Sequence, residues 1–586
     1  MAEIRIAPKP LAAAPGAPVG IQPAPQAPGI GITRTTTVLP PRRANRRRRQ
    51  HLAMLSSNAA VPSPTVYHPL NGLALHGSEV QYFELFRVHT ASQLSGYFNS
   101  NFWTQRVLQE CHSDAAIRHA VVALGALYKT LEQSNEPVSP GNPRAVTKYN
   151  SVMSHWQVAI KQYSEACNSM LVLNGNATSH RTRLMATILL ACFDSFIGDH
   201  KQAIVQIQTG LGLLEQYQTS HPHINGANRV YIEEDLVILF TRLAIQAKSY
   251  DMAFHFPDPY VVRLSSSITP QPSSPDSDRS SPSSIGSPIQ TKPFESLVEA
   301  RLASDKLCEA LLIFIERLQI AKSDPSYVLP ASWKKFGMGL KEKLNAWSDA
   351  FEPIFQSRMD PGLKHLERSG IAALKMFQVN TNILFLMMFC DNEVQFDSFM
   401  PHFKAIVDLG WEVVGADERK AAAETCPNPQ DCKHQHNMSK GGFRAGKYPM
   451  GHIQPSFSAD LGIVPPLFVV ATKCRDPRLR RQAIQLLRSS ARREGMWDSE
   501  LAANIGSWVM QVEEFDPSNP IPREEYVYSD SDGISQLTIP EERRIMVKSV
   551  DFDLRARFAD LQVGTRAAYK GAQAQDVRSK QTRIVW

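Results

Sequence analysis

The amino-acid sequence predicts an all-α protein, arranged as a multi-helix array of antiparallel helical hairpins. Two observations carry this prediction. From about residue 78 onward, apolar residues recur at spacings of three and four in one segment after another. No run of four to eight alternating β-branched residues between turns stands out in that body. The predicted domains are a disordered arm over residues 1–77, a helical body over 78–555 and a C-terminal tail over 556–586, which we expect to be frayed from residue 562 onward.

The helical periodicity is clearest over residues 114–132. There Ile117, Val121 and Leu124 fall on one stripe of a helix, and Ser113 is expected to cap its first turn. Further helices are predicted over residues 152–173, 184–196, 200–217, 233–254, 294–320 and 370–389, with a helical block over 465–514. These segments account for most of the body.

Two of these predicted helical regions also indicate how the helices pack. Gly198 suits a left-handed helix end, so residues 184–196 and 200–217 should form an antiparallel hairpin. Residues 370–389 are apolar on most faces, which predicts a central buried helix.

Low-complexity segments interrupt the array. The arm is rich in Pro, Ala and Gly and has almost no large side chain to bury, so we expect it to be disordered. Residues 265–288 are dense in Ser and Pro and predict a disordered insertion, while residues 415–446 are mostly polar and predict a long loop.

The positive charge of the protein is concentrated in the arm. The chain has 586 residues and a net charge of +7, but residues 1–50 hold nine basic residues and one acidic residue, a net of +8. The remainder holds 54 basic and 55 acidic residues and is therefore neutral to one charge. A neutral body produces no general field that would draw it onto polyanions.

A compact cationic run closes the basic part of the arm. Its members are Arg42, Arg43, Arg46, Arg47, Arg48 and Arg49. We interpret the run as a nuclear-localisation signal that an importin would bind, the alternatives being a phosphate-binding arm or a solvated charge run. A mitochondrial presequence would need an amphipathic helix, which the prolines disfavour.

The sequence shows no catalytic framework and no cofactor motif. Gly210 and Gly212 lack the third glycine and the preceding strand of a dinucleotide loop, and there is no phosphate-binding loop or nucleophile elbow. No run approaches the roughly 18 apolar residues of a membrane span, and the eight cysteines without a signal peptide indicate a reducing compartment. We expect neither an enzyme, nor a cofactor, nor a membrane partner.

One group of residues has the chemistry of zinc ligands. Cys426, Cys432, His434 and His436 lie close together, but the five residues between the two cysteines exceed the usual spacing of structural zinc sites. The span also contains two prolines. We therefore expect no metal site and interpret the group as chance clustering.

A second basic feature lies near the C-terminal end of the body. Its arginines are Arg475, Arg478, Arg480, Arg481, Arg488, Arg492 and Arg493. Asp476 followed by Pro477 is typical of a helix start. Such a helix could enter a nucleic-acid groove, but the neutral body and the nearby Glu494, Asp498 and Glu500 favour a structural helix whose arginines join neighbouring elements.

Several short stretches in this order resemble a known family. They are EVQYF (79–83), LSGYF (94–98), FW (102–103), AIRHA (116–120), ALGAL (123–127), LGIVPPL (461–467), KCRDPRLRR (473–481) and REGMWD (493–498). Over residues 78–555 the chain resembles the helical regulatory domain of fungal zinc-cluster transcription factors. That family implies a helical domain that regulates activity, mediates association and responds to ligands.

The resemblance also implies an N-terminal binuclear zinc cluster with six cysteines, whose helix enters the major groove. The first cysteine of this chain is Cys111, inside the helical body, so no such cluster is present in it. We expect contact with DNA to be indirect, or to depend on a cluster encoded by an exon missing from the gene model.

The resulting hypothesis is a nuclear transcriptional regulator of a metabolic or secondary-metabolite gene cluster. Its expected partners are other transcription regulators or a second copy of the chain, with an importin for nuclear entry. The alternative is a cytoplasmic helical scaffold without a transcriptional role.

Overall fold

Helices built on the predicted apolar stripes dominate the computed structural model, which confirms the all-α class. The structure describes residues 73–566 except 74, 99, 135–142, 173–176, 221–233, 255–289, 324–330, 427–451, 490 and 516–538, and then residues 576 and 578–586. The predictions for the arm and for the insertion over residues 265–288 lie outside the described residues.

The helices are, in chain order, α1 (Glu79–Leu85), α2 (Ala91–Leu94), α3 (Val107–Ser113), α4 (Ala115–Ser134), α5 (Pro143–Leu171), α6 (Ala177–Ile197), α7 (His200–Ser220), α8 (Glu234–Phe254), α9 (Leu297–Ser323), α10 (Ala331–Ser357), α11 (His365–Met387), α12 (Met400–Thr425), α13 (Val464–Lys473), α14 (Pro477–Leu487) and α15 (Ser499–Glu514). The strands are β1 (Ser456–Ser458), β2 (Arg492–Glu494), β3 (Trp497–Asp498), β4 (Met546–Asp553), β5 (Phe558–Gly564) and β6 (Lys580–Val585). A 3₁₀ segment, Val394–Phe399, leads into α12.

Helices α6 and α7 form the hairpin predicted around Gly198. This glycine has a φ of +85°, the left-handed conformation that glycine adopts without steric cost. The amide of Asp199 donates to the carbonyl of Asp194 at 2.9 Å, which closes the end of α6. The side chain of Asp199 then accepts from the amide of Gln202 at 3.0 Å and caps α7.

The expected cap of α4 is wrong by one residue. Ser113 is the last residue of α3, and its hydroxyl bonds to Glu110. Asp114 is extended instead, and its Oδ1 accepts from the amides of Ala116 at 2.8 Å and Ile117 at 3.3 Å. Ser113 is therefore part of the short helix α3, and the next residue, Asp114, caps α4 with its carboxylate.

The long polar loop predicted over residues 415–446 is wrong for its first part. Helix α12 continues to Thr425. Its polar residues are not solvated there: Glu418 is fully buried, its Oε1 lies 2.6 Å from Nδ1 of His452, and its Oε2 accepts from the amide of Ile453 at 3.1 Å. Burial of these polar groups explains why composition alone pointed to a loop.

Helix α11 is the central buried helix that the sequence predicts. By length and composition it could cross a membrane, but 67% of its most apolar window is buried inside the fold. It packs against α9, α10, α12 and α13. The apolarity of its faces is thus explained by the helices around it.

Two small sheets accompany the helices. Strand β1 pairs parallel to β2, which pairs antiparallel to β3, while β4, β5 and β6 form an antiparallel meander. The prediction of a frayed tail over residues 562–586 is therefore wrong for the end of β5 and for β6. Alternation of buried Ala559, Leu561 and Val563 with partly exposed neighbours places one face of β5 on the core.

Candidate functional site

The structure brings together only part of the residues singled out in the sequence. The cationic run Arg42–49, together with Cys432, His434 and His436, lies outside the described residues. Cys426 immediately follows α12, where it is half-buried. Among the described residues, no group of three or more His, Cys, Asp or Glu side chains is arranged to hold a metal ion.

The arginine-rich segment is structural, as predicted. Arg480 is fully buried, Arg475 is 3% exposed, and Arg492 and Arg493 pair with Asp417 and Asp498. Arg481 pairs with Glu514 of α15. These five guanidinium groups are engaged inside the fold and join neighbouring elements, whereas Arg478 and Arg488 are exposed.

The expected carboxylate partners are only partly correct. Asp498 does pair with Arg493 at 3.0 Å. Glu500 pairs instead with Arg557 of the C-terminal segment. Glu494 accepts the amides of Gly462, Ile463 and Val464 at 2.8, 3.0 and 2.9 Å, and thereby caps the start of α13.

Glu513 is one centre of the buried charge cluster. It lies near the end of α15 with no exposed side-chain surface. Its Oε1 accepts from Arg475 at 2.6 Å and from the amide of Ile545 at 2.9 Å, and its Oε2 accepts from Arg480 at 2.6 Å. Although burial disfavours its charge, the two guanidinium groups hold the pKa of Glu513 below its usual range.

Glu393 is the second centre, just before the 3₁₀ segment. Its fully buried carboxylate lies 3.0 Å from Nζ of Lys473, 3.0 Å from Nη1 of Arg475 and 2.7 Å from Nε of Arg566. Burial alone would raise the pKa of Glu393, but these three cations together hold it well below its usual range. Burial lowers the pKa of Lys473 to about 8, with Glu393 opposing the shift.

The same cluster anchors the C-terminal sheet. Arg544, which is 1% exposed, forms two parallel bonds of 2.8 Å to the carboxylate of Asp397 and donates to the carbonyl of Glu393 at 3.1 Å. Arg578 donates to the carbonyl of Arg544 at 2.8 Å. Residues from α13, α14, α15 and the last fifty positions of the chain thus meet at one point.

This arrangement leaves an excess of positive charge. Four cations, Lys473, Arg475, Arg480 and Arg566, share the two carboxylates of Glu393 and Glu513. Arg544 is neutralised separately by Asp397. Two positive charges of the four-cation cluster therefore have no carboxylate of their own among the described residues.

A cavity of about 110 Å³ opens beside the cluster. Helices α8, α11, α13 and α15 and strand β4 form its walls, which are mainly apolar and include Leu384, Phe468 and Val509. Lys473 and Arg566 line the same space. A partly open, mainly apolar cavity with a few polar groups at one side has the general form of a small-molecule site.

Sequence reasoning missed this site because its carboxylates lie far from their partners along the chain. Glu393 precedes Lys473 by eighty residues, and Glu513 follows Arg475 by thirty-eight. Neither glutamate belongs to a motif or a charge run. Of Glu393, Glu513, Lys473 and Arg566, only Lys473 lies in one of the short stretches quoted above, KCRDPRLRR over residues 473–481.

A second, open groove runs between α10, α11 and α12. It encloses about 570 Å³ and carries both charge signs, including Arg358, Lys375 and Glu412. Arg358 lies 3.3 Å from the carboxylate of Glu412 and 3.7 Å above the ring of Phe355. These contacts satisfy the groove's charges locally, and no constellation of acid, base and nucleophile forms there.

Comparison with known proteins gives two matches. Residues 81–244 match the family described as fungal specific transcription factor domain. Over 530 residues the chain is 22% identical to the aspercryptin biosynthesis cluster-specific transcription regulator atnN of Emericella nidulans, covering 81% of this chain and 80% of that regulator. No solved structure matches the chain. Both matches are to transcription regulators, which confirms the resemblance drawn from the sequence and the expectation that the protein is not an enzyme.

Proposed function

We propose that this chain, a transcription regulator with a fungal specific transcription factor domain over residues 81–244, acts in the nucleus on a secondary-metabolite gene cluster. The observation that carries the proposal is the similarity over 530 residues to a biosynthesis cluster-specific regulator. That similarity extends well beyond the matched domain and spans most of both proteins.

The charges of the described body support regulation through protein partners. The arginines with the best potential to contact phosphates, Arg475, Arg480 and Arg492, are buried and paired with carboxylates. Phosphate contacts need exposed cations that can release counterions. These three arginines are thus not available to phosphates, and under this proposal the body contacts other regulators or a second copy of itself and reaches DNA indirectly or through a zinc cluster.

Deletion of the gene tests the regulatory role. We expect transcripts of one co-regulated group of biosynthetic genes to change several-fold, because a cluster-specific regulator acts on a confined set of promoters. RNA sequencing of the deletion strain and of a strain complemented with the same gene measures this. Unchanged transcripts, with loss of a cytoplasmic protein complex instead, would support the scaffold alternative.

Nuclear entry is proposed to depend on the cationic run. Replacement of Arg46, Arg47, Arg48 and Arg49 by Ala should move a fluorescent fusion from the nucleus to the cytoplasm, because an importin groove binds clustered arginines through their charge. Live-cell imaging measures the nuclear-to-cytoplasmic ratio.

The matched control removes exposed positive charge from the helical body. Lys334 and Lys335 are exposed on α10, and their joint replacement by Ala should leave the distribution unchanged. A fusion that stays nuclear without the four arginines would contradict the assignment of the signal.

A further inference from the structure

The cavity beside the charge cluster combines a small volume with apolar walls. At about 110 Å³ it is smaller than the roughly 150 Å³ cavity that holds benzene in an engineered protein. Since benzene has six non-hydrogen atoms, the same ratio allows an occupant of about four or five non-hydrogen atoms in this cavity. Phe468, Leu384 and Val509 would surround its hydrocarbon part.

Polar groups converge on the same space. Lys473 and Arg566 line the cavity, and each uses an N–H group on Glu393, at 3.0 and 2.7 Å. An ammonium has three donors and a guanidinium five, so both retain the capacity to bind a further acceptor. Asn380 also lines the cavity, but its Oδ1, unpartnered within the described part of the chain, is an acceptor and cannot bind a carboxylate, so the donors for the occupant are those of Lys473 and Arg566.

The excess positive charge of the cluster favours an occupant with a negative charge. Lys473, Arg475, Arg480 and Arg566 exceed their shared carboxylates, Glu393 and Glu513, by two positive charges. Buried charge without a counter-charge is unfavourable, and an anion at this position would neutralise part of the excess. A neutral molecule would fill the same space without that gain.

We propose that this cavity binds a small apolar carboxylic acid as its anion, with the hydrocarbon part against Phe468, Leu384 and Val509 and the carboxylate accepting from Lys473 and Arg566. The bound acid would stabilise the junction between α13 and the C-terminal sheet. The biological role of this binding rests on the proposed function, since the bound acid would make a transcription regulator responsive to a small acid. Binding of the acid to the purified protein can be measured independently of transcription.

Isothermal titration calorimetry of the purified full chain with propanoate tests the proposal. We expect a dissociation constant of about 1 mM or lower, because five non-hydrogen atoms can contribute roughly 4 to 7 kcal/mol. The isosteric amide, propanamide, has the same shape without the charge, and we expect it to bind at least about tenfold more weakly. Equal affinities for acid and amide, or no binding by the acid up to 20 mM (a concentration of about twenty times that constant), would overturn the proposal.

Two variants locate the site. Lys473→Met removes one of the excess cations while Arg475 and Arg566 still neutralise Glu393, so the variant should fold and lose affinity about tenfold or more. Ala253→Leu adds three carbons to a residue that lines the cavity and should abolish binding. Thermal melting verifies that both variants are folded.

The control is Lys404→Met on the exposed side of α12, where the lysine pairs with Asp408 in solvent. It should bind the acid with unchanged affinity. Wild-type affinity in Lys473→Met or in Ala253→Leu would overturn the assignment of the cavity. If binding succeeds while gene deletion leaves transcripts unchanged, the regulatory proposal alone fails; if binding fails while transcripts respond, only this inference fails.

Discussion

Asp194 shows how burial changes the charge state of a single residue. It lies on α6 with 2% exposure, and its Oδ2 accepts from the hydroxyl of Tyr163 at 3.2 Å. Burial raises the pKa of Asp194 to about 7, and the charge of Asp199 adds to the shift, while Tyr163 and Arg555 oppose it. The carboxyl group is therefore protonated in the folded protein at mildly acidic pH.

The raised pKa of Asp194 makes stability depend on pH in a defined direction. Between its ordinary pKa of 3.8 and about 7, the folded state keeps a proton that the unfolded chain releases, so the free energy of unfolding falls as pH rises. Asp194→Asn mimics the protonated form at every pH. We expect the variant to be roughly 4 kcal/mol more stable than the wild type at pH 8 and nearly equal to it at pH 4.

Urea denaturation followed by tryptophan fluorescence, at pH 4 through 8, measures this difference. Asp408→Asn is the control, since Asp408 is an exposed residue of α12. It should change the free energy of unfolding by less than about 0.5 kcal/mol over the same range. A wild-type protein that gains stability relative to Asp194→Asn as pH rises would contradict the argument.

At the scale of elements, Glu513 links more parts of the fold than its position in α15 indicates. Its carboxylate binds Arg475 before α14, Arg480 within α14 and the amide of Ile545 before β4. Glu513→Gln keeps the shape of the side chain and removes its charge. Two buried guanidinium groups then lose their common counter-charge, and we expect the free energy of unfolding to fall by about 3 to 5 kcal/mol.

The same helix offers a matched control. Glu500 of α15 pairs with Arg557 at 3.1 Å, but both side chains are substantially exposed. Glu500→Gln should cost less than about 1 kcal/mol, because solvent screens the pair. Chemical denaturation of both variants compares the two sites, and similar losses in each would show that burial does not determine the strength of these pairs.

Elements whose signals are local could be predicted from the sequence. Asp476 accepts from the amides of Arg478 and Leu479 at 3.0 and 2.9 Å, as a side-chain cap followed by proline predicts. The polar composition of residues 415–425 predicts a loop, but these residues are helical. Glu418 is buried there because it binds His452, which lies thirty-four positions away in the sequence. Composition cannot distinguish a solvated carboxylate from one that a distant residue binds.

At the scale of the whole molecule, the charge distribution and the class of protein could be predicted from the sequence, but the site could not. The body is nearly neutral in total, which argues against a general polyanion-binding surface. The nearly zero net charge of the body does not reveal the local excess of positive charge around Lys473 and Arg566. That excess depends on which side chains come into contact in the folded protein. Tertiary contact, and not composition, creates the candidate ligand cavity.

The attachment of the C-terminal sheet to the helices has a consequence during synthesis. Arg544, Ile545 and Arg566 reach Asp397, Glu513 and Glu393 only after more than nine tenths of the chain has left the ribosome. Until then, the nascent helices carry polar groups whose final partners do not yet exist. A protein truncated before residue 540 would lack all three of these contacts, and quality-control proteases would encounter it as an unfinished fold.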